Sequence, residues 1–329
     1  MGHPQLGWIG LGSMGIGMSK NLQTHLAAVG APSLLFTNRT MSRGQALKEW
    51  GAIPIEKVDE LAKRSDIIFS CVSNDQVLKD VTRDIIASGD LKDKVFVDCS
   101  TVHPDTSILV ASQIAVAGGE FVAAPVFGAS PMAAAGKLIF VIAGPSSATE
   151  RIAPYLDGVM GKSVISMGTD VSKSSMLKIA GNVCVISFME VICEAHVFAE
   201  KTGLGSTVLE AMITDMFGPV LQSYSKRVTT GAYAPAPTDK AGFDVQLAIK
   251  DAKHALNCAA AAGSKLEVSE IALRHLEEAR SLEPARPLDS SSMYGAIRKE
   301  AGLDFLTEVC KERDKKQVCE NCGRGAENN

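Results

Sequence analysis

Through the first half of the chain, short apolar runs alternate with amphipathic stretches. The runs at 6–9, 33–37, 67–72, 95–99, 121–123, 138–143 and 164–167 predict strands. Segments 14–29, 43–50 and 74–86 place apolar residues at helical spacing between the early strands. Strands alternating with helices imply an α/β Rossmann-type domain, with a doubly wound, mostly parallel sheet covered on both faces. After Gly168 the alternation stops. Residues 170–201 are a long Ala/Val/Ile/Met-rich text without Gly-Pro punctuation, and helix-period segments follow at 206–216, 243–262, 268–280 and 291–301. The pattern predicts a Rossmann domain over 1–168, an all-α domain over 169–310, and a charged, then Gly/Asn-rich tail over 311–329 that reads as disordered.

Composition agrees with two globular domains. The 329 residues are 46% hydrophobic and 21% charged, with a formal charge of −4. That balance excludes a disordered chain and a dedicated nucleic-acid binder. Eight cysteines without framework spacing exclude a disulfide scaffold and favour a reducing, cytoplasmic setting. Residues 1–19 carry no charge but lack a basic start and are broken by six glycines, which argues against a signal peptide. Leu6 stands where an acylation signal needs Ser or Thr. No membrane association is expected.

The first chemical motif is Gly10-Leu11-Gly12-Ser13-Met14-Gly15, set between a strand and a helix. In that context the glycines allow a tight turn, a close backbone approach to a pyrophosphate, and close helix–strand packing. The helix N-terminus then receives the anion. An NAD-preferring site needs Asp or Glu at the end of the second strand. Here that place holds Asn38-Arg39-Thr40, and no acid occurs before Glu49. Residues 1–48 carry four basic side chains, Lys20, Arg39, Arg43 and Lys48. A guanidinium at Arg39 suits a 2′-phosphate, so the expected cofactor is NADP(H). Val72, Ser73, Ser100 and Thr101, at the carboxyl ends of two predicted strands, are further candidate cofactor contacts.

Four stretches together resemble the β-hydroxyacid dehydrogenase family, the relatives of 3-hydroxyisobutyrate and 6-phosphogluconate dehydrogenases. They are 7–15 with Asn21-Leu22; Asp98-Cys99-Ser100-Thr101 with Pro104; 124–129 with Ala133, Gly136 and Leu138; and Lys178-Ile179-Ala180-Gly181-Asn182 with Lys250-Asp251. The resemblance implies an active site in a cleft between the two domains. It also implies oxidoreduction of a hydroxyl or carbonyl near a carboxylate, and a homodimer or homotetramer formed through the helical domain. Lys178 is then the catalytic general acid/base, with Asn182 one turn on orienting it or the substrate. Lys162 and Lys173 compete on residue type alone, and the spacing to Asn182 selects Lys178. Ser100, Phe127, Gly128, Ala129 and Lys250 would face the substrate, and Lys250 and Phe243 the cofactor as well.

The chain departs from the family where Ser-Gly-Gly ordinarily binds the substrate carboxylate. It has Phe127-Gly128-Ala129, so the hydroxyl is lost and an aromatic ring enters. The expected substrate is therefore a larger or less charged carbonyl. Two alternatives stay open: an imine reductase-like enzyme, and a non-catalytic cofactor-binding scaffold. The lone Cys319-Glu320-Asn321-Cys322 and the six scattered histidines suggest no metal site.

Overall fold

The computed structural model describes residues 2–326, with side chains through Gln317. In chain order it contains β1 (Leu6–Ile9), α1 (Gly15–Ala28), β2 (Leu35–Thr37), α2 (Gln45–Glu49), β3 (Ile53–Pro54), α3 (Val58–Arg64), β4 (Ile67–Ser70), α4 (Asp75–Ile86), β5 (Val95–Asp98), α5 (Pro104–Val116), β6 (Glu120–Ala123), β7 (Val126–Phe127), α6 (Ser130–Ala134), β8 (Leu138–Ile142), α7 (Ser146–Ile152) and β9 (Gly161–Ser166). The helices α8 (Val171–Lys201), α9 (Ser206–Thr229), α10 (Val245–Ala261), α11 (Glu267–Leu282), α12 (Met293–Glu300) and α13 (Glu308–Ala326) follow.

Six strands form one parallel sheet in the order β3-β2-β1-β4-β5-β6. The strand order reverses beside β1, and such a switch point opens a crevice at the carboxyl ends of the strands. Strands β1, β2, β4 and β5 are buried along their whole length. Alternate residues feed two cores. Trp8, Phe36, Phe69 and Val97 pack on one face, and Ile9, Leu35, Ile68 and Phe96 on the other. Trp8 and Phe69 stack with ring centroids 5.9 Å apart. A three-stranded sheet, β7-β8-β9, follows, with β7 antiparallel and β9 parallel to β8.

Two compact units divide between Ala180 and Gly181, twelve residues past the boundary expected at 168. The difference has a local cause, because the first turns of α8 belong to the sheet unit. Ser174 donates to the Val141 carbonyl at 2.6 Å, Ser175 and Ser107 share a hydrogen bond of 2.8 Å, and Val171 joins the sheet core. The second unit is entirely helical. Its core centres on Tyr233 and Tyr294, whose rings meet edge to face at 5.1 Å. Gly218 (φ 74°) leaves the helical conformation and breaks α9 next to the stop expected at 216, and a second helical stretch opening at Pro219 runs to Thr229.

The disordered tail expected from 311 is corrected by the structure: α13 runs to Ala326. Charges in its first turns have partners in the rest of the unit. Lys311 bridges Asp304 and Glu308, each at 2.7 Å. Arg313 donates to the Gly231 and Ala234 carbonyls, and Asp314 pairs with Arg286.

Candidate active site

The phosphate loop sits at the carboxyl end of β1, as the motif requires. Gly10 has φ +97°, and a Cβ there would run into the Cys71 carbonyl oxygen, so only glycine fits. A Cβ at Gly15 would strike the Gly10 carbonyl. Gly12 behaves differently, since a Cβ there meets nothing within 4 Å. Leu11 is buried and contributes through its backbone, whereas Ser13 is exposed and Met14 half-buried. The N-cap position of α1 makes no side-chain capping bond, and its first turn holds no acid. The helix end therefore keeps its positive partial charge for an anionic ligand. Uncapped amides, a glycine facing open space and an obligatory glycine turn fit a dinucleotide pyrophosphate.

Asn38, at the end of β2, has a structural task. It accepts from the Leu11 N–H at 2.8 Å and donates to the Thr40 carbonyl at 2.7 Å, latching the phosphate loop to the strand end. Arg39 and Thr40 next to it are exposed, and Arg39 makes no salt bridge among the described residues.

Beside the loop, β4 and β5 are tied by the buried carboxylate of Asp98, a residue of the Asp98–Thr101 stretch to which the sequence reading gave no role of its own. One oxygen of Asp98, itself 2% exposed, accepts from both Ser70 and Ser100 hydroxyls at 2.7 Å. The Ser100 oxygen in turn accepts from the Val72 N–H at 2.8 Å. Ser100 thus fixes the segment carrying Val72 and Ser73, and Thr101 follows it half-buried. The sequence does not show the link to β4, because Ser70 and Val72 are each 28 residues from their partners Asp98 and Ser100.

Lys178 projects from α8 and is only 9% exposed. Its Nζ lies 4.6 Å from the centroid of the Phe127 ring, at the end of β7. Gly128 follows with φ +127°, and a Cβ there would press on Leu138, which fixes the turn after the ring. Ala129 and Ser130 are half-buried beyond it. Lys173 and Lys162 lie on α8 and β9, with no contact to Phe127 recorded among the described residues.

The second unit carries its own polar cluster. Asn182, 4% exposed, donates to Asp251 at 2.6 Å, and Lys250 pairs with the other Asp251 oxygen at 2.9 Å. Asp251 itself is 3% exposed. Phe243 packs on the helical core, and its N–H donates to Asp289 at 2.8 Å. Cys319 and Cys322 lie outside the residues whose side chains are described.

Comparison with known proteins gives this arrangement its context. Residues 5–168 match the NAD-binding domain of 6-phosphogluconate dehydrogenase, and residues 173–297 match the NAD-binding region of NADP-dependent 3-hydroxyisobutyrate dehydrogenase. An NADH-dependent oxidoreductase of Aspergillus ustus, ucdB, is 30% identical over 299 residues, covering 89% of this chain and 99% of the relative. The chain belongs to the β-hydroxyacid dehydrogenase family. A mitochondrial 3-hydroxyisobutyrate dehydrogenase of Drosophila melanogaster is 28% identical and covers 82% of each chain. In fold, the Salmonella typhimurium 3-hydroxyisobutyrate dehydrogenase superposes with a TM-score of 0.77 at 22% identity, covering 90% of this chain and 99% of that one. The protein is therefore a nicotinamide-dependent oxidoreductase of the hydroxyacid dehydrogenase type, built from a Rossmann unit and a helical unit.

Proposed function

We propose that the protein is an NADP(H)-dependent reductase that interconverts a carbonyl and a hydroxyl, with Lys178 as general acid/base and a substrate less anionic than the small hydroxyacids. The observation that carries this reading is the buried Lys178 ammonium set against the ring of Phe127, where the family ordinarily offers a serine hydroxyl.

The bound nicotinamide supplies or takes up a hydride at the substrate carbon. The Lys178 ammonium stabilises the negative charge that grows on the carbonyl oxygen and donates the proton that completes the alcohol. In the reverse direction the same amine takes that proton. Burial excludes water and strengthens the ammonium's pull on the oxygen. Asn182, oriented by Asp251, offers an amide to orient the substrate.

The preference for NADPH rests on Arg39. The end of β2 carries no carboxylate to grip a ribose 2′-hydroxyl, and it presents an exposed guanidinium beside the latched phosphate loop. The Aspergillus relative is named for NADH; in this chain residue 39 favours the phosphorylated cofactor.

The apolar outer side of α8 supports self-association. This helix is long and apolar enough to cross a membrane by length and composition, and only 39% of its most apolar window is buried. Phe188, Val191 and Phe198 are exposed on it, at coiled-coil spacing with Ala195. Glu194 and Glu200 are exposed on the same helix, which suits a second copy of the chain and not lipid.

Two measurements test the reading. Succinic semialdehyde and its methyl ester, methyl 4-oxobutanoate, offer the same aldehyde with and without a carboxylate. With NADPH, kcat/KM is expected to be higher for the ester. A clear preference for the acid overturns the substrate assignment, and faster turnover of a cyclic imine such as 1-pyrroline favours the imine reductase reading. Lys178→Ala is expected to abolish turnover while NADPH binding persists.

A further inference from the structure

We infer that Phe127 is a positioning residue: its ring face holds the Lys178 ammonium in the orientation needed to serve a neutral carbonyl, and denies that place to a substrate carboxylate. The inference rests on the reading of Lys178 as the proton donor.

The contact is built from rigid parts. Phe127 pairs with Ile139 and Val126 with Phe140, so β7 is fixed to β8. Ser174, one turn before Lys178 on α8, donates to the Val141 carbonyl of the same strand at 2.6 Å. Strand β8 therefore sets the spacing between the ring and the base of the lysine stem. Gly128 at φ +127° turns the chain away directly after the ring. The 4.6 Å from Nζ to the ring centroid is well inside the roughly 6 Å range of cation–π attraction.

The chemistry of that contact differs from that of an ion pair. A lysine stem has many rotamers, and each contact that orients the ammonium raises the time it spends at the reacting oxygen. The ring attracts the cation through its electron-rich face. It accepts no proton, so the ammonium stays a full acid toward the carbonyl oxygen. A carboxylate in the same place would neutralise the ammonium and compete with that oxygen. A substrate carboxylate brought to position 127 meets an aromatic ring where a serine would donate a hydroxyl, so it loses that hydrogen bond and would compete with the ring for the ammonium.

The decisive experiment grades the ring electrostatically at nearly constant shape. Phe127 is replaced by 4-fluoro-, 3,5-difluoro- and 3,4,5-trifluorophenylalanine, and NADPH oxidation is followed with methyl 4-oxobutanoate. Each added fluorine is expected to lower kcat about twofold with little change in KM. Phe127→Leu should lower kcat about tenfold and Phe127→Tyr should restore it. A flat series, or a Leu variant at wild-type kcat, overturns the inference. If Lys178→Ala is inactive while the series is flat, this inference alone falls. If Lys178→Ala stays active, the underlying reading falls and takes the inference with it. The contact is also read without turnover, in protein carrying 13C-labelled lysine. The Lys178 ε-methylene resonance should lie upfield of the other lysines through the ring current and return in Phe127→Leu. An unshifted resonance overturns the contact itself.

Discussion

Asn182 donates its side-chain amide to the buried carboxylate of Asp251 at 2.6 Å, and that bond sets which way the amide faces. The other Asp251 oxygen holds Lys250 at 2.9 Å. Removing Asp251 takes an acceptor from the buried Asn182 amide and an anionic partner from half-buried Lys250. Asp251→Ala should cost roughly 1–3 kcal/mol of stability, the usual cost of removing a partner from a buried polar group. Turnover should fall more than the loss of folded protein accounts for. Thermal unfolding and steady-state kinetics check both. Asp251→Asn, which keeps an acceptor, should lose less of each; equal losses would refute an orienting role.

Arg39 gives a prediction about cofactor choice. Arg39→Asp removes the guanidinium and supplies the carboxylate that favours a ribose 2′-hydroxyl. A charge-assisted hydrogen bond is worth about 1.5–3 kcal/mol, so NADPH affinity should fall roughly 10- to 100-fold while NADH binding holds or improves. Fluorescence titration of both nucleotides measures the ratio. An unchanged ratio would remove Arg39 from the site.

Two glycines of one motif should fail in different ways. Gly10→Ala forces an L-residue to φ +97° against the Cys71 carbonyl, and should destabilise the fold by about 1–3 kcal/mol. At Gly12 an added Cβ meets no protein atom, so Gly12→Ala should leave stability within about 0.5 kcal/mol. Cofactor affinity should nevertheless drop, because the methyl group stands where the pyrophosphate approaches. Melting curves with and without NADPH separate the two. A Gly12→Ala protein with wild-type affinity would contradict the proposed approach.

The helical unit contains a pH-sensitive pair. His275 Nδ1 and Glu190 Oε1 lie 2.5 Å apart, both nearly inaccessible, and Glu300 approaches Nε2 at 3.4 Å. Burial lowers the imidazole pKa, but the hydrogen bond and charge of Glu190 more than offset it, and the pKa is raised above 6.5. A raised folded pKa means that the pair's stabilisation is complete below the unfolded value. It is lost as pH rises through the folded one. The melting temperature should therefore decline as pH rises above the ordinary imidazole value, and Glu190→Gln should flatten that slope. Buried His196, whose pKa is lowered by desolvation, slopes the opposite way in both proteins. The difference between the two profiles thus isolates His275; identical profiles would refute the assignment.

What was legible in the sequence followed periodicity and punctuation. Strand β1 was read to its observed ends, and the phosphate loop lies where Gly10 to Gly15 implied. The two-residue strands β3 and β7 carry no sequence signal, since so short a segment has no period to detect, and Pro54 lies within one and Pro125 just before the other. Helix α13 was misread because charged residues such as Arg313 and Asp314 look solvated until their partners, more than 25 residues away, are known. For the same reason the sequence does not show Asp98 and Asp251 as organisers, although both stand in the stretches that resemble the family, as do Lys178, Asn182 and Phe127. The contact between Phe127 and Lys178 joins residues far apart in the chain, and only the β7–β8 pairing and the Ser174 bond bring them together.

The glycine at 128 has a consequence for how such an enzyme diversifies. Its left-handed backbone and the pressure of Leu138 dictate the course of the chain there, whatever side chain precedes it. On the proposed reading, the residue that shapes the backbone and the residue that meets the substrate are immediate neighbours with separate duties. Position 127 would then exchange a hydroxyl for a ring without redrawing the loop, and one codon would retune what the enzyme accepts while the scaffold stays untouched.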